Sequence, residues 1–177
     1  SVPFSHEPPV TSHVPAWRAM TRADLSAVAR IAAIVHPAYP EDPAVAAERL
    51  ALDPAGCFVF DGADGPSAYL LSHRWVDGAP PALDTHLHAL PAHPNIWYIH
   101  DIALMPETRG LGAARAIVAA LDALARSHGL HRLALVAVNN SVPFWQRHGF
   151  TDATTPALAE KLTTYDGDAR YMTREID

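Results

Sequence analysis

Only one cysteine, Cys57, occurs in the 177 residues, so no intrachain disulfide can staple the chain. It stands inside the apolar run CFVF and reads as a small core residue rather than a nucleophile, a usage that fits a reducing, cytoplasmic location. Long hydrophobic runs are missing as well: none approaches the roughly 18 residues that cross a bilayer, which argues against a membrane partner. Lysine and arginine form no cluster and the formal net charge is −6, which argues against nucleic acid and mildly favours cationic small molecules. A Walker loop is absent, and the dinucleotide fingerprint fails because Arg115 stands where its third glycine belongs. His86 and His88, with His93, have no well-spaced partner beyond Asp84, so no metal is expected.

What is present is the makeup of an ordinary globular enzyme, 49% hydrophobic and 18% charged. A chain of this size buries about 70% of its unfolded surface and needs no staples. Residues 1–16 hold four prolines and no periodic pattern, so they read as a flexible N-terminal arm, followed by one domain over 17–177. The domain opens with a short strand at Trp17–Met20, then Thr21 and Asp24 in a near capping box, and a helix whose buried face is Leu25, Val28, Ala29, Ala32 and Val35. Three prolines interrupt the pattern in 36-HPAYPEDP-43 before a second helix over 44–52. Strands over 57–60 and 67–75 flank DGADGP and predict an antiparallel hairpin. The proline-containing 76–95 loop is long for a compact domain and reads as a lid. A strand over 97–105, a helix from Ala113, a buried strand over 132–138 and a short helix over 142–148 follow, with 170–176 as a strand that closes the sheet.

Between the 97–105 strand and its helix lies PETRGLGAARAIVAAL. Gly110 and Gly112 lack a β-carbon, the amides that open the helix have no intrahelical partners, and Arg109 and Arg115 add charge, so the turn suits a phosphate or pyrophosphate. The pattern R-x-x-G-x-A from Arg109 to Ala114, after an apolar strand, resembles the GCN5-related N-acetyltransferase family, and 139-NNSVPFWQRHGF-150 looks like that family's later motif. The resemblance covers roughly 17–177. It implies an α/β (α+β) fold with a mixed central sheet of six to seven strands flanked by about four helices. It implies acetyl coenzyme A as cosubstrate, held by Ile102, Ala103 and Leu104, by Arg109, Gly110, Leu111, Gly112, Ala113, Ala114 and Arg115, and by Asn139, Phe144 and Trp145. Within the family, Val142-Pro143-Phe144 and the strand Tyr98-Ile99-His100-Asp101 are similar to arylalkylamine and related small-amine N-acetyltransferases. Those enzymes carry H-x-H where this chain has Tyr98 and His100, and a general-acid tyrosine where it has Trp145, whose indole N–H does not titrate near neutral pH.

The chemistry requires that an ammonium lose a proton before its lone pair attacks a thioester, and that the departing thiolate gain one. His100 is the expected base, and strand alternation puts it on one face with Tyr98, Ile102 and Leu104, while Asp101 faces the other way unless the strand bulges. Tyr98 and Tyr171 are the candidate acids, since a phenol near pKa ~10 can protonate a thiolate. The 36–43 loop is the expected acceptor pocket, with His36, Tyr39 as an aromatic wall and Glu41 as an attractor for a cation; Asp42 before Pro43 doubles as a helix cap. The reading is acetyl transfer to the primary amine of a small molecule. A protein or peptide N-acetyltransferase and a non-catalytic acyl-coenzyme A binding module stand as alternatives, and a homodimer is left open.

Overall fold

The computed structural model describes residues 16–177, so the arm expected over 1–16 lies outside the described residues except for Ala16, which opens the first strand. The elements run β1 (Ala16–Ala19), α1 (Leu25–Val35), α2 (Pro43–Leu52), β2 (Cys57–Gly62), β3 (Gly65–Trp75), β4 (Ile96–Leu104), α3 (Ala113–Ser127), β5 (Arg132–Ala137), α4 (Val142–Arg147), β6 (Thr151–Asp152), α5 (Pro156–Lys161) and β7 (Arg170–Glu175). Among the described residues no helix is long and apolar enough to cross a membrane.

Local chemistry sets several boundaries. Asp24 accepts from the Thr21 amide at 2.8 Å and pairs with Arg18, whose guanidinium holds the Asp24 carboxyl down at about 2. The Asp42 side chain accepts from the Ala44 amide at 2.8 Å and Pro43 takes the first helical position, so α2 starts as the cap reading predicts. Gly56 lies where a β-carbon would meet the Ser72 carbonyl oxygen at 2.3 Å, so only glycine fits the approach to β2.

The strands form one seven-stranded sheet in the order β1-β2-β3-β4-β5-β7-β6, antiparallel except for the parallel β4–β5 pair. The tail strand β7 therefore sits inside the sheet, between β5 and β6, rather than closing its edge. Neither β6 nor α5 has a sequence pattern long enough to announce it. One face packs Trp97, Ile99, Leu133 and Leu135 against Ile117, Val118 and Leu121 of α3 and Trp145 of α4. The other packs Tyr69, Leu71 and Ala103 against Val28 and Ile31 of α1 and Leu50 of α2, with Leu158 of α5 over Ile96, Tyr98 and Ala134.

The feature that shapes the site is in β4. Its pairing to β3 steps from Ile99↔Ser72 to Asp101↔Leu71, which leaves His100 as the extra residue of a bulge. Because side chains alternate with a period of two, one extra residue reverses every face beyond it. Trp97 and Ile99 point to the α3 face before the bulge, and Ile102 points there after it. Leu104 joins Ala113 of α3 on that side, while Ala103 points to α1. Tyr98 thus shares no face with Ile102 and Leu104, contrary to simple alternation. Pairing of β4 with β5 ends at Ile99↔Leu135, and the two strands part beyond it.

Candidate active site

The parted strands leave a wedge-shaped cavity of about 270 Å³ walled by Ile102 and Leu104 from β4, Val136 and Val138 from the β5 side, and Phe144 and Trp145 from α4. Trp145 stacks edge-on against Phe144 and Phe150, with ring centres 5.0 and 5.2 Å away, so it is a rigid wall rather than a proton donor. Asn139 and Arg109 stand on the rim. Ala103 is on the opposite face and its side chain takes no part.

The glycine turn opens α3 beside the wedge. Gly110 and Gly112 have φ of 81° and 75°, the left-handed region that glycine tolerates, and a β-carbon built on either would meet nothing within 4 Å. The backbone from Gly110 to Ala114 is therefore open to a ligand at a helix N-terminus, with the macrodipole favouring an anion. That fits a pyrophosphate. Leu111 is 60% exposed, whereas Ala113 is turned inward and its carbonyl accepts from the Trp17 indole at 2.8 Å.

At the head of the wedge the bulge sets two histidine–carboxylate pairs side by side. His100 Nε2 lies 2.8 Å from Glu41 Oε1, and the side chain is almost wholly enclosed. His36 Nε2 lies 3.0 Å from Asp101 Oδ1 and 2.9 Å from the Ile102 carbonyl, and the Tyr69 hydroxyl donates to the other Asp101 oxygen. Burial opposes charge on His36, yet Asp101 first, then the Ile102 carbonyl and Glu41, outweigh it and hold the imidazole above its ordinary value. Burial likewise pushes the Asp101 and Glu41 carboxyls up, but His36 and His100, respectively, overcome it and both acids sit below the usual range. Glu41 is thus not a free cation attractor: its second oxygen accepts from the Asp84 amide at 2.9 Å.

A larger cavity of about 400 Å³ adjoins the wedge at His36 and Asp101. Its walls are Val28, Ala29 and Ala32 of α1 with Tyr69 and Leu71 of β3, and Tyr39, Glu41 and Asp42 edge it. A third, small cavity joins His36, Tyr39, Glu41, His100 and Asp101 to Tyr165 and Leu83, the one residue of the 76–95 loop that lines any of the three. The loop is accordingly no lid over the 400 Å³ cavity. Tyr39 lines the 400 Å³ cavity, its hydroxyl donating to Asp166.

The two candidate acids are elsewhere. The Tyr171 hydroxyl donates to Asp77 Oδ1 at 2.6 Å and accepts from the Gly78 amide at 2.9 Å; burial, then Asp77, pushes its pKa up. Tyr98 is enclosed between His73 and the α5 side, and burial with the neighbouring Tyr165 hydroxyl drives it well above an ordinary phenol. Both are structural. Sequence reading missed Tyr69 and Tyr165, which have no local signal; it set Asp101 opposite Tyr98 unless the strand bulged, and the bulge brings the two to one side. His86 pairs with Glu48 at 3.3 Å, and among the described residues no three His, Cys, Asp or Glu side chains gather as a metal site.

No curated sequence matches the chain. Solved structures share the fold. Ard1 from Thermoplasma volcanium superposes with a TM-score of 0.69 at 16% identity, over 92% of this chain and 98% of its own. The loading GNATL domain of CurA from Lyngbya majuscula gives 0.76 at 13% identity, over 93% and 98%. The ribosomal-protein-S18-alanine N-acetyltransferase from Escherichia coli gives 0.64 at 18% identity, over 93% and 95%. The acetyltransferase (GNAT) family model matches residues 25–150, which hold α1, the bulged strand, the glycine turn and α4. The chain therefore belongs to the GNAT family of acetyltransferases, and its activity is acyl transfer.

Proposed function

We propose that the chain carries the acetyl group of acetyl coenzyme A to the primary amine of a small molecule, by direct attack of the amine on the thioester. The observation that supports this most is the junction of the wedge with the 400 Å³ cavity at His36 and Asp101: a cleft opening at the glycine turn meets an apolar pocket edged by the carboxylates of Asp42 and Asp101, with no lysine or arginine among the described residues that line it. An ammonium on an apolar body suits such a pocket, and its volume lies within the ~300–1,000 Å³ of small-molecule sites.

When bound, acetyl coenzyme A supplies the electrophilic carbonyl carbon. The residues do the rest. Backbone amides from Gly110 to Ala114 and Arg109 hold the pyrophosphate, and Phe144 and Trp145 wall the pantetheine and keep water out. His100 accepts a proton at Nδ1, because Nε2 faces a carboxylate and must carry its own hydrogen there. Tyr39 supplies the aromatic wall of the acceptor pocket.

The test is coenzyme A thiol release with a panel of small primary amines beside short peptides with free N-termini. Turnover with small amines is expected. Turnover with peptides alone would replace this reading by the peptide acetyltransferase, and coenzyme binding with no transfer to either would leave a binding module.

A further inference from the structure

His36 is not explained by a role as a passive wall. It stands where all three cavities meet, within reach of the wedge and of the acceptor pocket. Its Nε2 is forked between Asp101 Oδ1 at 3.0 Å and the Ile102 carbonyl at 2.9 Å. Both partners accept only, so Nε2 carries the hydrogen and the neutral ring keeps its lone pair on Nδ1. Asp101 is anchored in turn by the Tyr69 hydroxyl. This is a base oriented by a carboxylate that is itself oriented, the arrangement that a proton acceptor requires.

We propose that His36 is a second proton acceptor of the acetyl transfer, taking the proton of the acceptor ammonium at Nδ1 while Asp101 and the Ile102 carbonyl hold its Nε2–H. The inference rests on the amine reading above. Direct attack removes two protons from nitrogen. The first leaves the ammonium for His36 and frees the lone pair, making an imidazolium beside the Asp101 carboxylate. The second leaves nitrogen as the carbon–nitrogen bond forms and the carbon–sulfur bond breaks; His100 takes it and passes it to the departing thiolate. The net reaction releases the amide, the free thiol and one proton, which His36 returns to solvent. With Tyr98 and Tyr171 bound up elsewhere, two histidines, one at the bulge and one at the end of α1, divide the work expected of one base and one tyrosine acid.

The groups facing His36 are Asp101 of β4, Glu41 of its own loop, Tyr69 of β3 and, beyond Asp101, His100. They define the test, which is the pH dependence of kcat at saturating amine for the wild type and for His36→Gln, His100→Gln and Asp101→Asn. His36→Gln is expected to lower kcat about 10²–10⁴-fold, the range for a lost proton acceptor, and to take one ionisation out of the acidic limb. Coenzyme affinity measured by calorimetry should stay within about twofold. Asp101→Asn should move the same ionisation to lower pH, since the anion that raises His36 is gone, while His36→Gln with Asp101→Asn should add little to either alone. A His36→Gln enzyme whose acidic limb keeps every wild-type ionisation would overturn the proposal, as would a loss equal at all pH values. Acetylation of no amine by the wild type would overturn the function proposed above and this role together, whereas ready acetylation with an unchanged limb in the variant would sink His36 alone.

Discussion

At the residue scale the site is built from hydrogen bonds that leave few choices of protonation. His36 illustrates the energetics. Its pKa is raised in the folded chain, so its stabilising share is complete below the ordinary histidine value near ~6.5 and is lost as the pH rises through the raised value. Urea unfolding should therefore show a larger penalty for His36→Gln at pH 5.5 than at pH 8.5, and equal penalties would mean that Asp101 does not stabilise the charged ring. Tyr171 gives the contrasting case. Tyr171→Phe strips Asp77 and the Gly78 amide of a buried partner and should cost about 1–2 kcal/mol in thermal or urea unfolding with kcat nearly unchanged. A large fall in kcat at unaltered stability would restore it as a reacting group. Tyr39→Ala should raise the Michaelis constant for the amine by several-fold to about a hundredfold, from lost cation–π contact and burial, and leave that for acetyl coenzyme A in place; equal effects on both constants would put the acceptor elsewhere.

At the element scale two departures from regular structure matter more than the regular parts. One is the bulge at His100, which reverses the faces of β4 and, with the parting from β5, creates the wedge. The other is the left-handed Gly112 before α3. A β-branched residue at φ 75° costs about 1–3 kcal/mol, so Gly112→Val should relax the turn, misdirect the opening amides and weaken acetyl coenzyme A roughly tenfold or more by calorimetry. Undiminished binding would remove the turn from phosphate recognition. The turn was legible because glycine spacing, charge and helix onset are local signals. The bulge was not: it is decided by which residue of β3 each residue of β4 meets, and HDIAL alone fits a regular strand equally well.

At the scale of the whole molecule the 76–95 loop, which has no regular structure of its own, is fastened at many points. Glu48 of α2 accepts from the Leu87 amide at 2.6 Å and the His88 amide at 3.1 Å, Glu41 holds Asp84, the Tyr165 hydroxyl donates to Pro81 and the Trp75 indole to Ala79. Through Glu41 the loop is tied to His100 itself. Glu48→Ala should speed hydrogen exchange at Leu87 and His88 roughly tenfold or more, the worth of a lost hydrogen bond to a charged group. Unaltered protection there would show that the remaining ties suffice.

By itself the sequence determined the order of most elements, the hairpin, and the glycine turn with its helix, and it singled out the histidine that lines the wedge. Those rest on periodicity, turn residues and caps, which act over a few neighbours. Only the tertiary structure decided that β7 lies inside the sheet, that Tyr98 and Tyr171 are tied up in packing, and that Glu41 grips His100 while Asp101 grips His36. The pairs join residues 59 and 65 positions apart, and no local pattern encodes such a meeting; it follows from the register of β3 against β4 and from how α1 and its loop close over the bulge.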